Sequence, residues 1–290
     1  MMSGVSRLFA GALAALALAA GHAQAEPALW KVQGLHAVVY LFGTVHVLKP
    51  GVTWRSAKVD AAFKASSTLW EEVRDADDPE VIQPLVIKYG FDIAHPLSSK
   101  LDSSAQARLG AAETSLGLKA AQLEPMRPWM AGLTLSALPL LKAGYDPKSG
   151  VDVALKSAAA EQGKPLEAFE TTEQQVRFFA DLPAPLEVEY LLSTVDDVAK
   201  GTGELDDMVD AWAAGDTRRL EAILNDDLKD KYQDLYRILL TDRNKAFAAH
   251  IETLLKGEGV TFVAIGAGHL VGQESVQADL AKDGFKAERQ

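Results

Sequence analysis

The same construction occurs twice in this chain of 290 residues: an apolar run ends in Gly-x-x-His, at Gly43–His46 and again at Gly266–His269. Glycine at a strand exit lets the backbone turn sharply or approach a ligand closely. The histidine that follows projects from the carboxyl end of its strand, where open α/β sheets place their ligand sites. One such motif would more often be structural, but the pair predicts one shared functional site.

Two further predicted strands end in carboxylates, at Glu71-Glu72 and at Glu170. Parallel strands would bring these ends to the edge of the sheet that carries the histidines. Two imidazoles with two or more carboxylates suit Zn²⁺, Mn²⁺, Fe²⁺ or Co²⁺, and they also suit general acid–base chemistry near neutral pH. Because strand side chains alternate, one of Glu71 and Glu72 should point into the site and the other away.

The remaining sequence signals exclude several other kinds of site. His36 begins a strand at the opposite end from the site, His95 lies in a loop, and His250 lies on an amphipathic helix. The sequence contains no H-E-x-x-H, G-x-S-x-G or P-loop motif, and its G-A-G-H-L-V-G run has the last glycine one position late for a dinucleotide fingerprint. The absence of cysteine excludes thiol nucleophiles, disulfides and cysteine-ligated zinc.

The elements that must position these residues are predicted at both ends of the chain. Leu29–Val32 and Leu35–Phe42 flank a Gln-Gly turn and predict a hairpin, of which the second strand is central because it is nearly all apolar. A helix over Trp54–Ala65 and a strand from Ser67 to Trp70 complete a βαβ unit, which implies parallel pairing. The clearest strand of the second half is Val260–Ile265.

Between these strands the pattern is mainly helical. Helical insertions are predicted over about 78–162 and 172–256, with a strand near 166–170 between them and a single helix over Lys231–Leu255. A closing helix at Glu274–Lys282 and an edge strand at Phe285–Glu288 follow. The sequence therefore predicts one α/β domain that carries large helical insertions.

The first 25 residues have the pattern of a cleaved signal peptide. Arg7 supplies the positive charge, Leu8–Ala20 is apolar, and Ala23-Gln24-Ala25 is a cleavage site of A-x-A type. The domain should span residues 26–290, exported across a bacterial inner membrane to the periplasm or beyond; an uncleaved anchor is the alternative. No later run is long and apolar enough to span a bilayer. The net charge of −11 argues against a nucleic-acid partner.

At this point the residues carry a resemblance to the TraB/GumN family, which belongs with the Tiki peptidases, the erythromycin esterases and the ChaN-type haem-binding proteins. The resemblance covers nearly the whole mature chain and keeps the family's order. The motifs that carry it are Tyr40–His46, Leu69–Val73, Gly150–Asp152, Leu166–Gln175, Arg243-Asn244 and Phe262–Leu270.

The resemblance implies a duplicated α/β core with a mixed, largely parallel sheet. It also implies a divalent-metal hydrolase of the Tiki branch that cuts peptide bonds with Mn²⁺ or Co²⁺. His46 and His269 match the paired histidines, and Glu72 fits the acidic position better than Glu71. Glu170, Arg243 and Asn244 match positions that the family also keeps. Trp70-Glu71 stands where relatives usually have two apolar residues.

Two functions follow as expectations. The first is an exported metal-dependent hydrolase, peptidase-like, acting on a peptide or small-molecule substrate. Its metal (Mn²⁺, Co²⁺ or Zn²⁺) would be held by His46, Glu72 and His269, with Glu170 as a supporting group or general base. Arg243 would clamp a substrate carboxylate or polarise a carbonyl, unless it forms only a surface ion pair. The alternative is a non-catalytic envelope protein that binds a peptide or haem-like ligand in a groove. That groove would be lined by Met126, Trp129, Met130 and Leu133.

Overall fold

The protein is described by a computed structural model over residues 25–75, 77–201 and 203–290. Apart from Ala25, the predicted signal peptide lies outside these residues. Within them, one sheet contains β1 (Leu29–Gln33), β2 (His36–Thr44), β3 (Thr68–Arg74), β4 (Leu166–Thr171), β5 (Glu258–Gly266) and β6 (Ala287–Arg289).

The strands lie in the order β4-β3-β5-β2-β1-β6. β4, β3, β5 and β2 run parallel, while β1 pairs antiparallel with both β2 and β6. The predicted hairpin and the mixed, largely parallel sheet are therefore confirmed. Because β2 and β5 are neighbours and parallel, the two segments that carry the Gly-x-x-His motifs leave the same edge of the sheet.

Helices fill the intervals between the strands. Those up to β4 are α1 (Ala57–Ala65), α2 (Pro79–Gly90), α3 (Ser103–Leu116), α4 (Pro128–Lys142) and α5 (Val151–Glu161). Those after β4 are α6 (Thr172–Ala180), α7 (Ala184–Lys200), α8 (Gly203–Ala213), α9 (Thr217–Glu221), α10 (Asp227–Lys231), α11 (Gln233–Tyr236), α12 (Asp242–Leu255) and α13 (Val276–Lys282). None of the helices in the described ranges is both long and apolar enough to cross a membrane.

Alternate residues of the central strands enter two different apolar clusters. Phe42 and Phe262 pack on one face of the sheet in a cluster with residues of α1, α5 and α8. Leu41 and Val263 pack on the other face in a cluster with residues of α12 and α13. Both faces are covered, which explains why these strands read as continuous apolar runs. A third cluster joins α3, α4 and α7 away from the sheet.

Several predicted boundaries differ from the structure. β3 continues to Arg74 because its ladder with β4 extends to the pair Arg74–Thr171, so Glu71 and Glu72 lie inside the strand rather than after it. α1 begins at Ala57, where the side chain of Ser56 caps it. The last strand lies at Ala287–Arg289, because β1 pairs with those residues.

The single helix predicted over Lys231–Leu255 is also wrong. Tyr232 leaves helical geometry (φ −134°, ψ 57°), and a π-helical turn over Arg237–Thr241 precedes α12. A π turn accommodates one residue more than an α turn does and thereby rotates the face presented by the helix that follows. α12 buries Asn244, Phe247 and Ile251.

The division into one domain with two helical insertions stays a prediction.

Candidate functional site

Three of the predicted site residues converge around Gly266. Thr44 pairs with Gly266 at the ends of β2 and β5, so both motifs begin their loops side by side. A Cβ atom placed on Gly266 would lie 3.2 Å from Glu72 Oε2, 3.5 Å from His269 Cδ2 and 3.8 Å from His46 Nε2. Glycine therefore leaves open the space between two imidazoles and a carboxylate.

His269 is buried, and its ring orientation is set by α12. Its Nδ1 lies 2.5 Å from Asn244 Oδ1, while Asn244 Nδ2 donates to the carbonyl of Glu274 at 2.7 Å. The second bond fixes which end of the Asn244 amide faces His269, so His269 Nδ1 must donate. In the neutral ring Nε2 then carries a lone pair, and it lies 3.7 Å from Glu72 Oε2.

His46 is the exposed member of the pair, with 67% of its side chain accessible. Its Nδ1 lies 2.8 Å from Asp152 Oδ2 at the start of α5. The helix approaches this closely because Gly150 precedes it: a Cβ there would lie 2.3 Å from the His46 carbonyl oxygen. The N–H of Val151 also donates to the Val45 carbonyl at 3.0 Å. His46 therefore presents Nε2 to the site, as His269 does.

Glu72 lies on β3, beside β5, and both of its oxygens accept hydrogen bonds. Oε2 accepts from the Gly266 N–H at 3.0 Å. Oε1 accepts from Gln175 Nε2 at 2.8 Å and from Arg243 Nη2. The question left open by the sequence is thereby answered, since Glu72 is the glutamate that faces the histidines.

Arg243 and Glu170 form the buried support of Glu72. Arg243 donates through Nε and Nη2 to the two oxygens of Glu170, each at 2.8 Å. Its Nη1 donates to the Leu239 carbonyl at 3.0 Å. The guanidinium also lies over the rings of Phe178 and Phe247, 5.1 and 5.4 Å from their centroids. Arg243 is therefore engaged within the protein, as part of a buried ion-pair network rather than a surface pair.

The charges of these groups follow from burial and from their neighbours. Burial lowers the pKa of His269 to about 4, so this ring is neutral at pH 7. The hydrogen bond to Asp152 raises the pKa of His46 to about 9. Burial alone would raise the pKa of Glu72. Three positive charges outweigh burial: that of His269, which is protonated only in acid, and those of Arg243 and His46. Together they hold the pKa of Glu72 far below its usual range. Glu72 is thus an ionised carboxylate.

A cleft of about 340 Å³ opens over this edge of the sheet. Its lining includes His46, Glu72 and Asp152, together with Glu71 and Lys156. Glu71 lies on the other face of β3 from Glu72, yet its carboxyl group reaches the same cleft. Burial, and then the neighbouring charge of Asp152, raise the pKa of Glu71 to about 8. The cleft therefore contains both glutamates of the pair.

Three residues of this arrangement received no role from the sequence. Asp152 and Gln175 lie within motifs that carry the resemblance, but only the fold shows that they contact His46 and Glu72. Asn225 lies in a second π-helical turn, at Ala222–Asp226, and donates to the Gly268 carbonyl at 3.0 Å. π turns are frequent at functional sites, but their position has no clear sequence signature.

Among the described residues, the remaining histidines are His36, His95 and His250, and they lie apart from this cluster, as predicted. His36 begins β2 at the far end of the strand. His95 bonds Asp92 through Nδ1 at 3.1 Å. His250 packs on the ring of Trp70, with 4.4 Å between centroids.

The residues predicted to line a groove around Trp129 pack within the helical layer. Trp129 is only 1% exposed and packs with Val176 and Ala180. Met130 and Leu133 pack against the same cluster, and Met126 against the cluster of α3, α4 and α7. These residues stabilise the helical layer, which is the usual role of methionine and aromatic residues at helical spacing.

The donor set can be compared with the needs of a divalent metal. Imidazole Nε2 atoms with an ionised carboxylate are ligands that Zn²⁺, Mn²⁺ and Co²⁺ accept. The Nδ1 atoms are bonded to Asp152 and Asn244, which is how metal-binding imidazoles are usually oriented. Across residues 25–75, 77–201 and 203–290, no group of three or more His, Asp or Glu side chains is arranged so that it could hold an ion. The chemistry of the donors fits a metal, whereas binding one would require movement of these side chains.

Fold and site together define an α/β protein with a buried His–Glu–Arg cluster at the carboxyl edge of its sheet. The chain belongs to the TraB/PrgY/gumN family, whose model matches residues 28–289. It is 28% identical over 157 residues to the uncharacterized protein YbaP of Escherichia coli (strain K12), in an alignment covering 50% of this chain and 53% of that protein. YbaP of Shigella flexneri matches to the same extent. The chain spans about half the length of these curated relatives, and no solved structure matches it.

Proposed function

We propose that this protein is an exported, metal-dependent hydrolase of peptidase type, acting in the periplasm or outside the cell. The observation that supports this most strongly is the convergence of His46 Nε2, Glu72 Oε2 and the His269 ring around Gly266. Both imidazoles present Nε2 to the same space because each Nδ1 is bonded elsewhere. Such a set of groups is suited to binding one ion or one reacting oxygen.

His46, Glu72 and His269 would hold the metal, which is Mn²⁺, Co²⁺ or Zn²⁺ in this proposal. Bound there, a divalent ion supplies a nucleophile from water near neutral pH and polarises a carbonyl group. His46 would give up its Nε2 proton on binding an ion, since only the neutral ring is a ligand. Its exposed ring is the member of the set with most room to move, while Glu72 and His269 are held by buried bonds.

The remaining residues act by holding these three in place. Asp152 and Asn244 orient the imidazoles, and Arg243 with Gln175 keeps Glu72 ionised and aimed at the site. Glu170 accepts two hydrogen bonds from Arg243 and so fixes the guanidinium. We therefore assign Arg243 and Glu170 to positioning, in place of the substrate clamp and general base expected from the sequence.

Digestion of a peptide library tests the proposal. The mature protein, freed of metal by a chelator, is incubated with the library and with added Mn²⁺, Co²⁺ or Zn²⁺, and products are identified by mass spectrometry. We expect cleavage that depends on one of these ions and is lost in His46→Ala. His95→Ala is the matched control, because His95 is also exposed and also bonds an aspartate through Nδ1. Tight peptide binding without cleavage under any of these ions would instead favour a non-catalytic binding protein.

A further inference from the structure

Four carboxyl groups of the described residues line the cleft, and one of them differs from the others because it is not paired with a cation. Asp77 pairs with Lys156 at 2.6 Å, Asp152 with His46 at 2.8 Å, and Glu72 with Arg243. Glu71 is only 7% exposed, and its Oε1 has no hydrogen-bond partner among the described residues. A buried polar atom without a partner is rare and costs free energy, so its retention needs a reason.

The surroundings of Glu71 show which chemistry would satisfy it. Lys156 is the lysine that lines this side of the cleft, and its ammonium is held by Asp77. Asp152 lines the same cleft as Glu71, and 26% of its side chain is exposed. A ligand placed here meets the Glu71 oxygen that has no partner among the described residues and the carboxylate of Asp152, so the group it must present is a hydrogen-bond donor.

We propose that Glu71 and Asp152 form a subsite for a primary ammonium group of the substrate. A primary ammonium is a compact cation with three donors, which matches a carboxyl group with a free oxygen beside a second carboxylate. Binding it would give Glu71 Oε1 the hydrogen-bond donor that the described residues do not supply. The subsite lies on the α5 side of the cleft, while the Gly266 space lies next to Glu72.

This inference rests on the proposed function for its substrate class: it names peptides that carry an ammonium group beside the scissile bond. Two sources offer that group, a free amino terminus and a lysine side chain. Both present the same chemistry to Glu71, and short synthetic peptides distinguish them.

The test compares three peptides by isothermal titration calorimetry on the full mature protein. They are Ala-Ala-Ala-Ala amide with a free amino terminus, its N-acetylated form, and N-acetyl-Ala-Lys-Ala-Ala amide. We expect at least one ammonium-bearing peptide to have an affinity about tenfold higher, or more, than that of the acetylated alanine peptide. A gain of this size corresponds to one charge-assisted hydrogen bond. The peptide with the higher affinity shows whether the subsite binds an amino terminus or a lysine side chain.

Glu71→Gln supplies the decisive comparison, since it keeps the size of the side chain and puts an amide donor in place of one carboxyl oxygen. The preference for ammonium should fall to less than about twofold, while the acetylated peptide should bind as before. Glu167→Gln is the control, because Glu167 is an exposed glutamate on β4 that pairs with Arg74. Circular dichroism confirms that both variants are folded; if Glu71→Gln is not, Glu71→Leu takes its place.

The inference is wrong if ammonium-bearing peptides bind no better than the acetylated one, do not bind at all, or keep their advantage in Glu71→Gln. Because the readout is binding, it is separate from hydrolysis. Cleavage of the peptides together with equal affinities for all three would support the proposed function and overturn the subsite. An ammonium preference without cleavage under any metal would support the subsite and overturn the proposed function.

Discussion

The carboxamide of Asn244 holds the ring of His269 through a hydrogen bond of 2.5 Å from Nδ1 to Oδ1. Because Asn244 Nδ2 donates in turn to the Glu274 carbonyl, the amide cannot present its other end without losing both bonds. The neutral His269 ring therefore carries its proton on Nδ1 and its lone pair on the side that faces Glu72. One buried amide thus sets the chemical character of the site.

Asn244→Ala should weaken both metal affinity and activity by about 10- to 100-fold, the usual cost of removing a group that orients a metal ligand. The free energy of unfolding should fall by about 1–3 kcal/mol, because the buried Nδ1–H of His269 loses its acceptor. Metal titration and urea denaturation measure the two effects.

Thr253→Ala is the control on the same helix, since its exposed hydroxyl donates to the Ala249 carbonyl. Asn244→Asp keeps an acceptor for His269 and adds a negative charge, so it should raise the pKa of His269 as followed by NMR. Unchanged metal affinity and activity in Asn244→Ala would show that the orientation of His269 does not matter.

Arg243→Met should be strongly destabilising, by about 3–5 kcal/mol, because it removes the guanidinium to which the buried carboxylates of Glu72 and Glu170 are both bonded. Urea denaturation at pH 7 measures this loss. The deficit should shrink as the pH is lowered, since protonation of the two carboxyl groups removes the uncompensated charge.

Arg177→Met is the matched control for this prediction. Arg177 also pairs with a carboxylate, Asp181 at 2.8 Å, but both side chains are 55% exposed. Exposed pairs contribute little, so the free energy of unfolding should hardly change. Equal effects of the two substitutions would mean that the network around Glu72 is not a buried one.

The raised pKa of Glu71 should make the free energy of unfolding fall as the pH rises, which is opposite to the effect of a carboxylate paired with a cation. The pKa of Glu71 is raised from 4.5 to about 8, so the folded protein binds its proton more tightly than the unfolded chain does. The resulting stabilisation is complete below about pH 4.5 and is lost as the pH rises towards 8. Relative to Glu71→Gln, the wild-type protein should therefore lose stability over this interval.

The measurement is the free energy of unfolding of both proteins from pH 4.5 to 9, by urea denaturation. Only the difference between them reports on Glu71, because the other titrating groups cancel. Glu167→Gln is the control for the same substitution at an exposed glutamate. A flat difference for Glu71→Gln would mean that Glu71 is ionised and compensated in the folded protein.

Much of the site could be predicted because it is built on strands. Apolar runs followed by Gly-x-x-His identify β2 and β5, and period-two alternation separates Glu71 from Glu72. Asp152 and Asn225 could not be assigned from spacing, since their contacts depend on how α5 and a π turn approach the loops. The unbonded Oε1 of Glu71 is equally a property of the fold, because no local pattern says which buried oxygen lacks a partner among the described residues.

If His46 and His269 act on one ion or one substrate oxygen, their contributions are not independent. His46→Ala, His269→Ala and the double variant should then lose activity to a similar degree, within about tenfold of one another. Peptide cleavage by the purified variants measures this, with His95→Ala expected to retain wild-type activity. Two single losses that multiply in the double variant would show that the histidines act separately.

Calorimetric titration of Mn²⁺, Co²⁺ and Zn²⁺ into the chelator-treated mature protein tests the central claim most directly. We predict one site per chain for at least one of these ions. Its affinity should be lost in His46→Ala, in Glu72→Gln and in His269→Ala, and retained in His95→Ala. A folded wild-type protein that binds none of the three ions, or binding that survives all three substitutions, would contradict a metal site formed by His46, Glu72 and His269.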